Sequence, residues 1–289
     1  MLPPVPNEEG ASATVTLAPS GAIDTTNPFF QPQGNGRSCA TCHDQQAGWS
    51  ITPDTLAKRF KDSDGLDPVF RTNDGAVSPN APVATTAERE RAYAMLLSKG
   101  LIRVGLPIPA GAEFELLSVD DPYHFATAAE LSLFRRPLPT TNLQQPAVHH
   151  QGCQWPQRRA RKARAARHLH LLPLDAQCRH PLGAAPDEHR RRSRGAPHPR
   201  PAPLYTLRNL ASGETVKTSD PGAALQTGKW RDLGKLKIPS LRGLESRSPY
   251  FHDGSENDVA QLVRFYDRRF EIGLSQPEVD DLANFLRAL

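Results

Sequence analysis

The chain reads as a mainly α protein with long irregular connections, and three observations predict that class. Two closing segments repeat apolar residues at helical spacing: Val259, Leu262, Val263 and Tyr266, then Val279, Leu282, Phe285, Leu286 and Leu289. Ser275 with Glu278 three residues on forms a capping box ahead of the second. A third helical pattern runs from a Thr86 cap to about Leu97, with Ala92, Met95 and Leu96 on one face and Gly100 as its stop. The 28 Pro and 20 Gly supply the connections around these segments.

In chain order, residues 1–29 are rich in Pro, Gly, Asn and Ser and predict an extended lead-in. Thr52-Pro53-Asp54 opens a short helix carrying Leu56, Ala57 and Phe60, and a loop follows from Asp62 to Pro82. Leu101 to Val104 and Glu113 to Val119 read as short strands around the Pro107/Pro109 turn. Ala126 to Phe134 is expected to be helical, and Pro137 to Asn142 an extended connector. Tyr205 to Thr218 alternates as a hairpin around Ser212-Gly213. Ser255 is the expected cap of the helix that follows it.

Charge is distributed unevenly over the 289 residues. The net of +4 comes from one stretch: Gln144 to Ala202 holds 11 Arg and 1 Lys against 3 acids, leaving the remainder mildly acidic. That stretch also carries seven of the ten His and two of the four Cys, but no Ile, Phe, Thr, Tyr, Met or Asn. With a single β-branched residue, Val148, and a single aromatic, Trp155, it cannot bury enough apolar surface to offset its ordering entropy, so residues 144–202 are expected to be disordered. No stretch of the chain approaches the roughly 20 apolar residues of a membrane helix. Met1-Leu-Pro-Pro-Val-Pro has neither a basic nor an apolar leader region, so no signal peptide is expected in this chain.

Cys39-Ala40-Thr41-Cys42-His43 is C-x-x-C-H, the attachment pattern of c-type haem. Two thiols three residues apart reach the two vinyl groups on one porphyrin edge, and the adjoining imidazole ligates the iron from below. Gly34, Gly36 and Gly48 permit close backbone approach to a flat cofactor, and Trp49 offers an aromatic wall. For the sixth ligand Met95, the sole internal thioether, ranks ahead of His124, and an open sixth site remains a third option. The competing reading is a zinc half-site completed by Cys153 and Cys178, which lie far apart.

Asn27-Pro28-Phe29-Phe30 before the haem motif, Lys237-Ile238-Pro239-Ser240-Leu241-Arg242, and Pro249-Tyr250-Phe251-His252-Asp253-Gly254-Ser255 before the final Leu-rich helices together resemble bacterial di-haem cytochrome c peroxidases and related di-haem oxidases. The likeness covers roughly 30 to 143 and 203 to 289. It implies two cytochrome c-like domains, an N-terminal haem domain over 30–143 and the remnant of a second over 203–289, each domain of the family carrying its own haem c. It further implies a periplasmic oxidoreductase that draws electrons from a small redox protein or a quinol-linked donor and reduces hydrogen peroxide. The first haem would pass electrons, catalysis would belong to the second, and Tyr250 and His252 would lie beside that second haem.

The chain departs from this pattern in having no second C-x-x-C-H and no C-terminal Met for an axial position. Read one base later with GC-rich codons, His168 to His180 can encode Thr-Cys-Thr-Ser-Cys-His, and with the Arg, Ala, Pro and His bias of the stretch this predicts that about 144–202 is a frame-shifted or mis-spliced insertion. As it stands, the chain is expected to support at most mono-haem electron transfer, or to form no stable holoprotein. A second functional reading, an Arg-rich nucleic-acid or anionic-surface binder with a Cys/His zinc site, has clustered Arg in its favour. Against it, the segment has one aromatic, Trp155, for base stacking and fits no recognisable module.

Overall fold

The computed structural model of the protein describes residues 3–7, 10–16, 20–140 and 200–289. The expectations for residues 144–199, including the zinc ligands Cys153 and Cys178, lie outside the described residues. Within them the chain forms six α-helices and seven strands in three small antiparallel sheets, so strands carry more of the fold than a mainly α reading predicts.

The lead-in is not simply extended. β1 (Val5–Asn7) and β2 (Gly10–Ser12) pair as a hairpin. α1 (Pro53–Ser63) starts where expected, with Thr52 as its cap accepting from the Thr55 N–H, and ends at left-handed Asp64. Its buried Leu56 packs with Ile51, Phe70, Tyr93 and Leu96 in the first apolar cluster. The helix predicted over 86–97 is capped one residue earlier, by Thr85, and breaks in two: α2 (Thr86–Ala92) and α3 (Ala94–Lys99). The break sits at Tyr93, where the Val77 N–H takes the Ala92 carbonyl at 2.8 Å. Gly100 ends α3 in the left-handed region, as its position predicted.

β3 (Ile102–Leu106) and β4 (Phe114–Asp120) follow. The helix expected over 126–134 is instead a turn and a strand, β5 (Leu131–Arg135), paired antiparallel with β3. Two local features exclude the helix. The Asp121 carboxylate accepts the backbone N–H groups of Tyr123, Phe125 and Ala126, and Thr127 and Glu130 exchange backbone hydrogen bonds in a tight turn. Leu131 to Phe134 are then all buried, covered on both faces as a strand can be and a short helix cannot.

β6 (Leu204–Asn209) and β7 (Thr215–Thr218) form the predicted hairpin, and β4 adds to it in the order β4-β6-β7. The sheet therefore spans the division expected between residues 143 and 203. Tyr205 is fully buried at its centre and donates its hydroxyl to the Ser132 carbonyl at 2.8 Å. Each buried leucine of this cluster, Leu131, Leu133 and Leu207 among them, contributes about 2 kcal/mol by leaving water. After a short α4 (Ala224–Thr227), the chain ends in two packed helices, α5 (Val259–Phe270) and α6 (Gln276–Arg287). Asp258, not Ser255, caps α5, accepting from the Gln261 N–H at 2.8 Å. α6 buries Val279, Ala283 and Leu286, while Phe285 and Leu289, expected on its apolar face, are exposed.

Candidate haem site

The C-x-x-C-H residues form a single 3-10 turn, Cys39–Thr41, that delivers His43 into a cavity. Thr41 closes the turn through its backbone to the Ser38 carbonyl, while its hydroxyl accepts the Ser38 N–H at 3.0 Å. The N–H groups of Cys42 and His43 both reach the Cys39 carbonyl. Cys39 is exposed and Cys42 half-buried against the first apolar cluster. Burial pushes the Cys42 thiol above its usual range, with Arg37 opposing, so the thiol is held protonated at neutral pH.

The loop after the motif fixes the imidazole. Asp44 and Ser50 bridge antiparallel, and the chain reverses between them through two successive left-handed residues, Gly48 (φ 57°) and Trp49 (φ 62°). That conformation, costly for tryptophan, turns the Trp49 carbonyl back to His43, where it accepts the Nδ1 proton at 3.0 Å. The acceptor is a carbonyl, so the tautomer is set: Nδ1 carries the hydrogen and Nε2 keeps its lone pair for a metal. The expected connector runs alongside, with the Thr140 N–H on the Trp49 carbonyl (3.1 Å) and the Ser50 hydroxyl on the Pro137 carbonyl (2.6 Å).

Two arginines flank the turn and grip one loop. Arg37 donates to the carbonyls of Pro68 and Val69 and pairs with Asp74 at 2.6 Å. Arg59, from α1, holds the Thr41 carbonyl at 2.7 Å and both carboxylate oxygens of Asp67. Burial alone would raise the Asp67 carboxyl, but hydrogen bonds from Arg59 and the Val69 N–H hold it below the usual carboxylate range.

His43, Ala40, Phe30, Trp49, Val5 and Arg59 are among the residues lining a cavity of about 600 Å³. Phe29 and Phe30 meet Trp49 edge-on at 5.9 and 6.2 Å, and the Trp49 indole N–H is held by Thr14. A flat, mostly apolar group of porphyrin size suits this volume and lining. The donor set fits haem c as well: two free thiols on either side of Ala40, and an imidazole with Nε2 unblocked. Neither cysteine lines the cavity. Gly34 and Gly36, expected to make room, are exposed, and only Gly48 is crowded.

The other predicted residues are not gathered here. Met95 is buried with Val77, Leu101 and Phe134, in a separate cluster, and does not line the cavity. His124 sits at a left-handed position in the Asp121 turn. Tyr250 is buried in the α5/α6 cluster and donates its hydroxyl to the Leu244 carbonyl, while the His252 carbonyl accepts the Arg136 N–H at 2.8 Å. Among the described residues no three His, Cys, Asp or Glu side chains converge as metal ligands, and no helix is long and apolar enough to cross a membrane. Sequence reading missed Arg59 and the N-terminal hairpin. Arg59 looks like any solvated helix cation, and Val5 like part of a proline-rich tail, so neither carried a signal.

No family model matches the chain and no solved structure matches it. Among curated proteins it is similar to the cytochrome-c peroxidase IdrP1 of Denitromonas iodatirespirans, 33% identical over 81 residues, 24% of this chain and 22% of that protein. The corresponding protein of Pseudomonas sp. (strain SCT) is 31% identical over 98 residues, 30% of this chain and 24% of its own length. The cytochrome c peroxidase Ccp of Escherichia coli (strain K12) is 33% identical over 89 residues, 30% and 19% respectively. The matches thus span about a quarter of these relatives or less, and over that part the chain is a distant relative of cytochrome-c peroxidases.

Proposed function

We propose that the chain is a c-type haem redox protein of the di-haem cytochrome-c peroxidase kind. The single observation behind this reading is the fixed imidazole: His43, directly after two free thiols, gives its Nδ1 proton to the Trp49 carbonyl, keeps Nε2 free of hydrogen, and lines a mostly apolar cavity. Cys39 and Cys42 would hold haem c covalently and His43 would ligate its iron. When bound, haem supplies a reversible one-electron couple.

The chain's own residues supply the setting. Trp49 sets the imidazole tautomer, Arg59 braces the Thr41 carbonyl between the two attachment points, and Phe30 with Trp49 gives the site an aromatic wall. Hydrogen peroxide as terminal acceptor, a small redox protein or quinol-linked donor, and a periplasmic setting extend this reading from the relatives' names and the resemblance above. Met95 stays a weak sixth-ligand choice, given its separate cluster. Peroxide turnover is assigned to a second haem, near Tyr250 and His252, for which this chain offers no attachment motif.

The test is maturation of the full chain in a host competent for cytochrome assembly. The expected product weighs one haem more than its polypeptide and keeps its Soret band through acid-acetone extraction. A colourless protein of bare polypeptide mass overturns the proposal, and a colourless protein that releases metal to a chelator would point to the zinc reading.

A further inference from the structure

The turn that carries the two thiols leaves the helical path as soon as it has delivered His43. The Asp44 N–H goes to the Ser50 carbonyl at 2.8 Å and the Gln46 N–H to the Asp44 carboxylate at 2.9 Å, so neither continues the turn. The Thr41 carbonyl, on the peptide that joins Thr41 to Cys42, is met instead by Arg59 Nη1 at 2.7 Å. A cation from α1 thus finishes the end of the motif turn, where the carbonyls carry partial negative charge.

Arg59 is itself held rigidly. Its Nε and Nη2 take one oxygen each of the Asp67 carboxylate, the two-point geometry that fixes a guanidinium in plane. The Ser63 hydroxyl closes a ring around the pair, donating to the Arg59 carbonyl at 2.7 Å and accepting the Asp67 N–H at 3.0 Å. Against its burial, the hydrogen bonds from Arg59 and the Val69 N–H keep the Asp67 carboxyl ionised at neutral pH. At 23% and 22% exposure, the two charges are sheltered enough to be felt beyond their own contact.

Where this pair sits gives it a second role. Arg59 lines the cavity that His43 lines, and among the described residues it is the one Arg or Lys that does so. Arg37 grips the same loop through Asp74 but stays outside the cavity. With Asp67 in place the Arg59 charge is balanced, and loss of either partner leaves one unit of charge beside the cavity. A haem gains one positive charge on oxidation, so an unbalanced cation there favours the ferrous state and its removal favours the ferric.

We propose that Arg59 is a positioning residue of the haem motif: anchored by Asp67 it braces the Thr41 carbonyl, and the balance of charge within the Arg59–Asp67 pair sets the redox potential of the site. The charge role rests on the haem reading above; the brace does not.

Midpoint potentials of the haem-loaded full chain test the charge. Asp67→Asn is expected to raise the potential and Arg59→Gln to lower it, each on the order of tenfold in the ferrous-to-ferric ratio, about 59 mV for one electron. Arg59→Lys, which keeps the charge, should stay near wild type, and Arg59→Gln combined with Asp67→Asn should return to it. A role in folding alone would move both single variants the same way and add in the double. That result, or no shift, overturns the charge role; should Arg59→Gln fail to fold, Asp67→Asn must still rise while Arg59→Lys does not. Hydrogen exchange in the haem-free full chain tests the brace. Arg59→Gln, or Asp67→Asn in its place, is expected to speed exchange of the Cys42 and His43 amides by at least about tenfold, with protection kept in Arg59→Lys. Unchanged exchange overturns the brace. Absence of a Soret band from the matured wild-type chain would defeat the haem reading and the charge role with it, and exchange would decide the brace alone.

Discussion

His43 and Trp49 are joined by a hydrogen bond of 3.0 Å in which the tryptophan serves through its backbone, while its indole is engaged elsewhere. The left-handed backbone at residues 48 and 49 makes that bond geometrically available, so the loop's conformation and the imidazole's orientation stand or fall together.

Gly48→Ala tests the loop. A β-carbon there would stand 3.0 Å from Arg247 Cγ and 3.1 Å from the Gly243 carbonyl, at φ 57°. Strain and crowding add, and the variant is expected to lose about 2 to 3 kcal/mol of stability, read by urea unfolding.

Asp220→Ala removes the partner of a sheltered cation. The carboxylate, 3% exposed, receives Nε and Nη2 of Arg135 at 2.6 and 2.7 Å and also the Gly222 N–H. Loss of about 3 kcal/mol or more is expected, with a smaller loss for Asp220→Asn, which keeps one acceptor oxygen. Thermal melts of both variants give the comparison.

Asp67 predicts an acid limb. Its carboxyl is held below its unfolded value, so its contribution is fully present above about pH 4 and is lost as pH falls through the lowered folded value. Asp67→Asn should lower stability at pH 7 and flatten the decline between about pH 4 and pH 2. Denaturant midpoints across that range measure it; parallel curves for the two proteins would contradict the assignment.

The Asp121 turn carries a fourth stability prediction. One carboxylate accepts three backbone N–H groups, two of them at 2.7 Å, and Asp121→Ala leaves those donors to water or to nothing. A cost on the order of 2 to 3 kcal/mol is expected, with loss of amide protection at Phe125 and Ala126 in hydrogen exchange.

For residues 144–202 the prediction concerns the gene. Read one base out of phase across this stretch, the DNA is expected to encode a second C-x-x-C-H, and the chain in the restored frame should bind two haems by pyridine haemochrome. A coding sequence with no such motif in either shifted frame would end the idea.

The C-x-x-C-H turn, the caps of α1 and α6, the Gly100 stop and the 205–218 hairpin were readable because each depends on residues close in sequence. The failures share the opposite cause. Leu131 to Phe134 alternate too weakly to exclude a helix, and only pairing with Ile102–Leu106 makes them a strand. Tyr93 interrupts a good helical pattern because Val77, sixteen positions away, claims a carbonyl. At the site itself, His43 and its two cysteines announce themselves, whereas Thr14, Arg59 and Arg136 act through partners 18 to 85 residues distant, a relation that periodicity does not encode.

Pro3 and Val5 help wall the cavity that His43 faces, and Asn7 ties their hairpin to Gln46 and Ser246. An affinity handle fused ahead of Pro3 would therefore emerge at the rim of that cavity and could obstruct enzymatic attachment of the cofactor. A handle after Leu289 is no remedy, because the Leu289 carbonyl accepts the Gly243 N–H and the Gly243 carbonyl lies against Gly48 in the loop that orients His43.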